Sequence, residues 1–344
     1  MGKFIKFGLS LFIGLTVFFI VLLKIGVSNA TQALGLFFSL QGLSMLAITA
    51  LLIWLSTVKW KLVLKYQGEK FSTKELTPFI LIGLAMSYLT PFAIFGGEIF
   101  RVYFFKKKYP NLKAEKAMAS VATDRILEVT AFFTFLIFGL LVFGLFGPVF
   151  ASPLGVFALI FAGFFLSLLL IFYLSNWRKK SALEWLIKTF GLKKYLLGDR
   201  NGEMALETEQ EVFRFFSLRN KVFWQGLGLA FLEYFGFFVR AVILVFFITG
   251  SFEVVKSLAV YSFANLASLT PLPATLGALE LSQGFAFSVL GFGFNKGAVF
   301  SMVWRATDLF FCFIGLFFFA KHSAKAAQDK LLNVFSSCHS ERAQ

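Results

Sequence analysis

The chain has 344 residues, 58% hydrophobic and 15% charged, with a mean hydropathy of +0.80. A soluble domain carries about 25% charge and 45–50% apolar residues, so a soluble enzyme or binding module is excluded and the chain reads as an all-α polytopic membrane protein. The formal net charge of +15 does not imply nucleic acid, because the basic residues gather at the ends of apolar runs, as the positive-inside rule expects.

Two cysteines give no disulfide framework, and two histidines, His322 and His339, give no zinc site. No phosphate-binding loop, nucleophile elbow or dinucleotide fingerprint occurs. The sequence therefore assigns no catalytic residue, no metal and no cofactor.

In chain order, Lys3 and Lys6 precede an apolar run at 7–25, read as a retained first span rather than a signal peptide. A second span is expected at 35–57. A basic loop follows with Lys59, Lys61, Lys65, Lys70 and Lys74. The apolar stretch 76–104 is broken at Thr90-Pro91, with Gly96-Gly97-Glu98 just beyond, and Arg101 and Lys106 to Lys108 lie on its far side. Both flanks are basic, so both are placed in the cytoplasm. Each arm has about 14 residues, or ~21 Å as helix, too short for a ~30 Å hydrocarbon core. A re-entrant hairpin fits better than one kinked span.

A span at 117–146 carries Asp124, Arg125 and Glu128, and Gly147-Pro148 turns the chain outside. The next span, 151–174, ends at Arg178-Lys179-Lys180. Within 175–220, Leu183, Leu186, Ile187 and Phe190 outline an interfacial amphipathic helix, and the acidic stretch Glu203 to Glu211 a second, solvated one. The span 221–249 holds Glu233 and Arg240 on one face. A second broken stretch, 252–292, contains Thr270, Pro271, Pro273 and Gly277, then Glu280. Its flanks carry little charge, so it dips in from outside. The last span, 298–320, carries Arg305 and Asp308, and 321–344 is a cytoplasmic tail.

The order of break, acid, then Arg/Asp within the next span recurs at an offset of roughly 180 residues. The expected architecture is about six transmembrane helices plus two oppositely oriented re-entrant hairpins in an inverted repeat. Residues 1–174 form the first repeat and the start of the second, 175–220 a cytoplasmic amphipathic segment, 221–320 the remainder of the second repeat. Both termini are cytoplasmic.

Ionisable residues inside spans are costly, about 2.5–3.5 kcal/mol each at mid-helix, and mark pathways or interhelical pairs. The candidate lipid- or ion-binding set is Glu98, Arg101, Asp124, Arg125, Glu128, Glu233, Arg240, Glu280, Arg305 and Asp308. An interhelical salt bridge is the alternative for each, weighed evenly for Asp124, Glu128 and Asp308; function is favoured for Arg125 and Arg305, which hold matching repeat positions. Broken helices add free N–H groups suited to phosphate or carboxylate.

Pro91, Gly96, Gly97, Glu98 and Arg101 follow the pattern Pro-x-x-x-x-Gly-Gly-Glu-x-x-Arg, and Pro273, Leu276, Gly277 and Glu280 follow Pro-Gly-Gly-Leu-Gly-x-x-Glu with Ala274-Thr275 in place of two glycines. These paired motifs, with Arg305 and Asp308 downstream, resemble the lysylphosphatidylglycerol synthase transmembrane-region family, flippase-like integral membrane proteins. The resemblance implies a region that moves or presents lipids. In the synthases a large soluble domain follows and transfers the aminoacyl group; this chain ends about 24 residues past its last span, so that activity is not expected.

The leading expectation is a lipid translocator, or lipid-binding transporter, of a bacterial inner membrane. Arg125, Arg240 and Arg305 would hold an anionic phospholipid headgroup between the hairpins, and Glu98 and Glu280 would shape the tips and gate or carry protons. The alternatives are a membrane transferase acting on a polar or polyprenyl lipid, with Glu98 or Asp124 as base, and a scaffold subunit. A homo-oligomer or a partner lipid-synthesis enzyme fits these readings; nucleic acid does not.

Overall fold

The computed structural model describes residues 27–90, 96–145, 153–177, 200–217 and 219–341. Among these, the regular structure is entirely helical. In chain order the elements are α1 (Val27–Phe37), α2 (Leu40–Tyr66), α3 (Thr73–Leu89), α4 (Glu98–Lys108), α5 (Ala114–Phe143), α6 (Pro153–Trp177), α7 (Arg200–Phe215), α8 (Lys221–Thr249), α9 (Val254–Ser268), a 3-10 turn at Pro273–Thr275, α10 (Ala278–Val289) and α11 (Phe294–Glu341). The expected span 7–25, Pro91, the Gly147-Pro148 turn and the amphipathic helix at 183–190 lie outside the described residues.

Four of the described helices are long and apolar enough to cross a membrane: α2, α5, α8 and Phe294–Ala324 of α11. Their outward faces carry large apolar side chains such as Trp54, Phe138, Trp224, Phe235, Phe313 and Phe317, which lipid tails solvate as readily as a protein core would.

Local signals set the helix ends. Ser39 caps α2, accepting from the Gln41 amide at 3.2 Å, and Asn220 caps α8, accepting from Val222 at 3.0 Å. Ser72 and Glu75 form a capping box at the start of α3, the Ser72 amide donating to Glu75 at 2.7 Å. At the ends of α3 and α9 the Thr90 and Thr270 hydroxyls turn back onto the Ser87 and Ala267 carbonyls, at 3.4 and 2.7 Å. These satisfy groups that a helix end otherwise leaves orphaned.

Three boundaries depart from the sequence reading. The second span is α2, which runs to Tyr66 and takes Lys59, Lys61 and Lys65 into the helix; Lys59 is not a loop residue but is fully buried. The physical reason is that three carboxylates neutralise its ammonium, as described below. The connection before that span contains α1, and the tail after 320 continues α11 as helix to Glu341. The acidic stretch forms the helix expected of it, α7, but it is packed rather than solvated, with Val212 and Phe215 buried against α5 and α8.

The two broken stretches each fold into a pair of packed arms, α3 with α4 and α9 with α10. The arms have 17, 11, 15 and 12 residues, or about 26, 17, 23 and 18 Å, each shorter than a ~30 Å hydrocarbon core. The halves then interlock crosswise. The first arm of one stretch, α3, packs on α11, and the first arm of the other, α9, packs on α5. α2 and α8 pack on each other.

A glycine sits at each crossing. A Cβ at Gly315 of α11 would meet the Leu81 carbonyl carbon and the Ala85 Cβ of α3 at 2.8 Å; a Cβ at Gly139 of α5 would meet the Leu258 carbonyl oxygen of α9 at 2.7 Å. Helices without a hydrophobic drive to associate use such small residues to bring backbones together. Gly315→Ala is therefore expected to lower stability by about 1–3 kcal/mol, the usual cost of overpacking. Gly228→Ala, where the added Cβ meets nothing within 4 Å, is expected to be neutral or stabilising by up to about 1 kcal/mol, since glycine is the poorer helix former. Thermal unfolding of the two variants in detergent checks the contrast.

Candidate functional site

The first charge cluster lies where α2, α4, α5 and α8 meet. The Lys59 Nζ of α2 donates to Glu128 Oε1 of α5 at 2.8 Å and to Glu233 Oε2 of α8 at 2.8 Å, and lies 3.5 Å from Asp124 Oδ1 of α5. Arg101 of α4 places Nη1 2.7 Å from Asp124 Oδ2 and its guanidinium 3.8 Å above the Trp60 ring. The Trp60 indole donates to Ser120 Oγ at 3.1 Å, which fixes the ring under the guanidinium. Arg125 donates to Glu128 Oε2 at 2.7 Å and reaches Glu98 Oε1, at the start of α4, at 3.2 Å. Seven charged side chains from four helices thus form one connected chain.

Burial is graded along it. Side-chain exposure is 0% at Lys59, 13% at Glu128, 21% at Arg125 and 22% at Glu98. The cluster runs from the packed interior of the protein to a partly open edge at the first hairpin.

The second cluster lies among α8, α10 and α11. Arg240 of α8 donates to Asp308 Oδ1 at 2.9 Å and to the Trp304 carbonyl at 3.0 Å, and its guanidinium sits 3.9 Å above the Trp304 ring. Arg305 donates to Glu280 Oε2 at 2.9 Å, to the Ala274 carbonyl at 2.6 Å and to the Thr275 carbonyl at 3.2 Å. Glu280 also accepts from the Gly277 amide at 3.0 Å and so caps α10. Arg305 is thereby locked to the turn of the second hairpin, and Arg305 and Glu280 are nearly inaccessible.

All ten charged residues selected from the sequence fall into these two clusters. Their partners differ from the sequence pattern. Glu233 and Arg240 share a helix face but serve different clusters. Arg305 and Asp308 likewise divide, one holding Glu280 and the other Arg240. Of the breaks, Gly96 and Gly97 lead directly into Glu98, and Thr270 to Gly277 carry the carbonyls that Arg305 binds. Ala274 and Thr275 adopt φ of 52° and 50°, the left-handed region that glycine occupies freely and other residues at a cost of roughly 1–2 kcal/mol each.

Lys59 is the member of the first cluster that sequence reasoning missed. Its flanking lysines made it look like part of a basic loop. The signal that could have found it is the repeat: Lys59 stands before Arg240 by the same roughly 180 residues that separate the two hairpin acids. In both halves a cation from the helix before the hairpin meets an acid on the span after it, Lys59 with Glu128 and Arg240 with Asp308.

Two outcomes follow from these contacts. Lys59→Met leaves three carboxylates around an apolar side chain and is expected to cost about 3–5 kcal/mol, the range for breaking a buried ion pair, seen as loss of the folded monodisperse peak or a large drop in unfolding temperature. Ala274→Gly is expected to raise stability by about 1 kcal/mol, because it removes the left-handed strain while leaving the carbonyl that Arg305 binds; thermal unfolding reads it directly.

The family model for the lysylphosphatidylglycerol synthase TM region matches residues 5–315. A UPF0104 membrane protein of Methanothermobacter thermautotrophicus is 26% identical over 314 residues, covering 87% of this chain and 90% of that protein. A UPF0104 membrane protein of Pyrococcus horikoshii is 32% identical over 136 residues, 39% of this chain and 40% of that protein. No solved structure matches significantly. With nearly the whole chain covered, this membrane protein belongs to the lysylphosphatidylglycerol synthase TM region family.

Proposed function

We propose that the protein is a lipid translocator, or lipid-binding transporter, that takes a lipid by an anionic headgroup at its intramembrane arginines. The observation that carries this reading is the pair of matched latches. Each hairpin acid binds the arginine of the following span, Glu98 to Arg125 and Glu280 to Arg305. A phosphate, though tetrahedral, can offer a guanidinium two acceptor oxygens side by side, as a carboxylate does. A headgroup entering at Arg125 therefore competes with Glu98 directly, and its binding breaks one of the two ion pairs that, among the described residues, hold α4 to α5, the other being Arg101 with Asp124.

The difference between the latches supports the reading. The first is about one-fifth exposed and the second closed. A transporter that alternates needs one hairpin open while the other is shut, and rocking of two related halves around a central site supplies that exchange. On this reading the hairpins are re-entrant and enter from opposite faces of the membrane, with both termini cytoplasmic, as the distribution of basic residues favours.

The direct experiment follows leaflet asymmetry of labelled anionic and zwitterionic phospholipids in liposomes holding the purified protein. The expected result is headgroup-selective movement that Arg125→Ala and Arg305→Ala each reduce by at least about tenfold, the effect of losing one charged contact worth ~1.4 kcal/mol or more. No movement of any lipid by folded protein rejects the translocator.

A further inference from the structure

We propose that the first charge cluster binds one exchangeable proton, held on Glu233, and that release of this proton loosens the first hairpin. Use of the proton to drive transport rests on the translocator reading; the binding site itself does not.

The two clusters differ in charge. Among the described residues the second is balanced, Arg240 and Arg305 against Glu280 and Asp308. The first sets Lys59, Arg101 and Arg125 against Glu98, Asp124, Glu128 and Glu233. One surplus negative charge in a packed interior is expensive, and proteins neutralise such groups rather than bury them ionised.

The geometry shows where the surplus falls. Asp124 has Arg101 at 2.7 Å besides Lys59. Glu98 and Glu128 share Arg125. Among the described residues, Glu233 pairs with the Lys59 ammonium alone, which two other acids also use. The charged and titratable groups facing Glu233 are Lys59 on α2, Asp124 and Glu128 on α5, Tyr261 on α9 and neighbouring Tyr234 on α8 itself, with Arg101 of α4 and Arg125 one contact further. A guanidinium therefore supports every carboxylate except Glu233.

A proton suits this site better than a metal cation. Both Glu128 oxygens and Glu233 Oε2 already accept from ammonium and guanidinium groups, whereas an alkali or alkaline-earth ion needs a shell of several free oxygens.

The contacts also give the consequence of release. With Glu233 protonated, Lys59 serves Glu128, and Arg125 is left to hold Glu98. When the proton leaves, Glu233 becomes a carboxylate and draws Lys59. Glu128 then leans on Arg125, and the hold of Arg125 on Glu98 weakens. The route outward is the graded chain itself, through Glu128 to the partly exposed Arg125–Glu98 edge.

The test is infrared titration of the purified full chain in lipid nanodiscs, with Glu233→Gln and Glu280→Gln beside wild type. The expected result is the band of one protonated carboxyl at neutral pH in wild type and in Glu280→Gln, and its absence in Glu233→Gln. No such band in wild type, or the same band in Glu233→Gln, overturns the site. Stabilisation by sodium chloride but not by potassium chloride, without the band, also overturns it in favour of a metal cation. In liposomes an imposed proton gradient is expected to speed lipid movement by wild type several-fold and to leave Glu233→Gln unaffected. A proton band in a protein whose lipid movement ignores the gradient upholds the site and rejects the coupling.

Discussion

The ammonium of Lys59 is the contact on which the first half of the molecule depends. It reaches carboxylates on α5 and α8 at once, and through Asp124 it joins Arg101 of α4. Four helices that lipid would solvate equally well apart are thereby held at one point. Apolar burial alone gives little reason for such helices to choose each other inside a bilayer. Buried charges impose the choice, because each of them is tolerable only with its partners in place.

The second half solves the same problem with a different division of labour. Arg240 ties α8 to α11 as Lys59 ties α2 to α5. Arg305, however, spends two of its bonds on backbone carbonyls of a turn in left-handed conformation. That turn is formed at Ala274 and Thr275. Its strain is held by the guanidinium, so the second latch is a stiff closed one, whereas the first is shared between two competing acids and partly open. A pair of related hairpins with unequal latches is what an alternating mechanism requires in either of its end states.

Much of this was legible in the sequence, for physical reasons. Composition set the membrane class, and a Thr-Pro pair followed by glycine and a carboxylate marked both broken stretches; Thr-Pro alone is not the signal, since Thr77-Pro78 lies inside the continuous helix α3. The ten charged residues stood out because they lie in or beside apolar runs, which make them conspicuous. Their pairing did not, because the partners of Glu233, Arg240, Arg305 and Asp308 are chosen by which helices pack, and helical periodicity reports only which residues share a face. Lys59 was hidden for the opposite reason: among other lysines at the end of a span it resembled ordinary membrane-flanking charge, and its offset from Arg240 in the repeat and its three tertiary contacts distinguish it.

The most direct test of this account is a double-mutant cycle on unfolding, with Lys59→Met, Glu128→Gln and the double variant. The account predicts that the double variant is less destabilised than the sum of the singles, by more than about 1 kcal/mol, as directly interacting groups behave. Additive costs would contradict it, because they would mean that the ammonium and the carboxylate contribute to the fold independently.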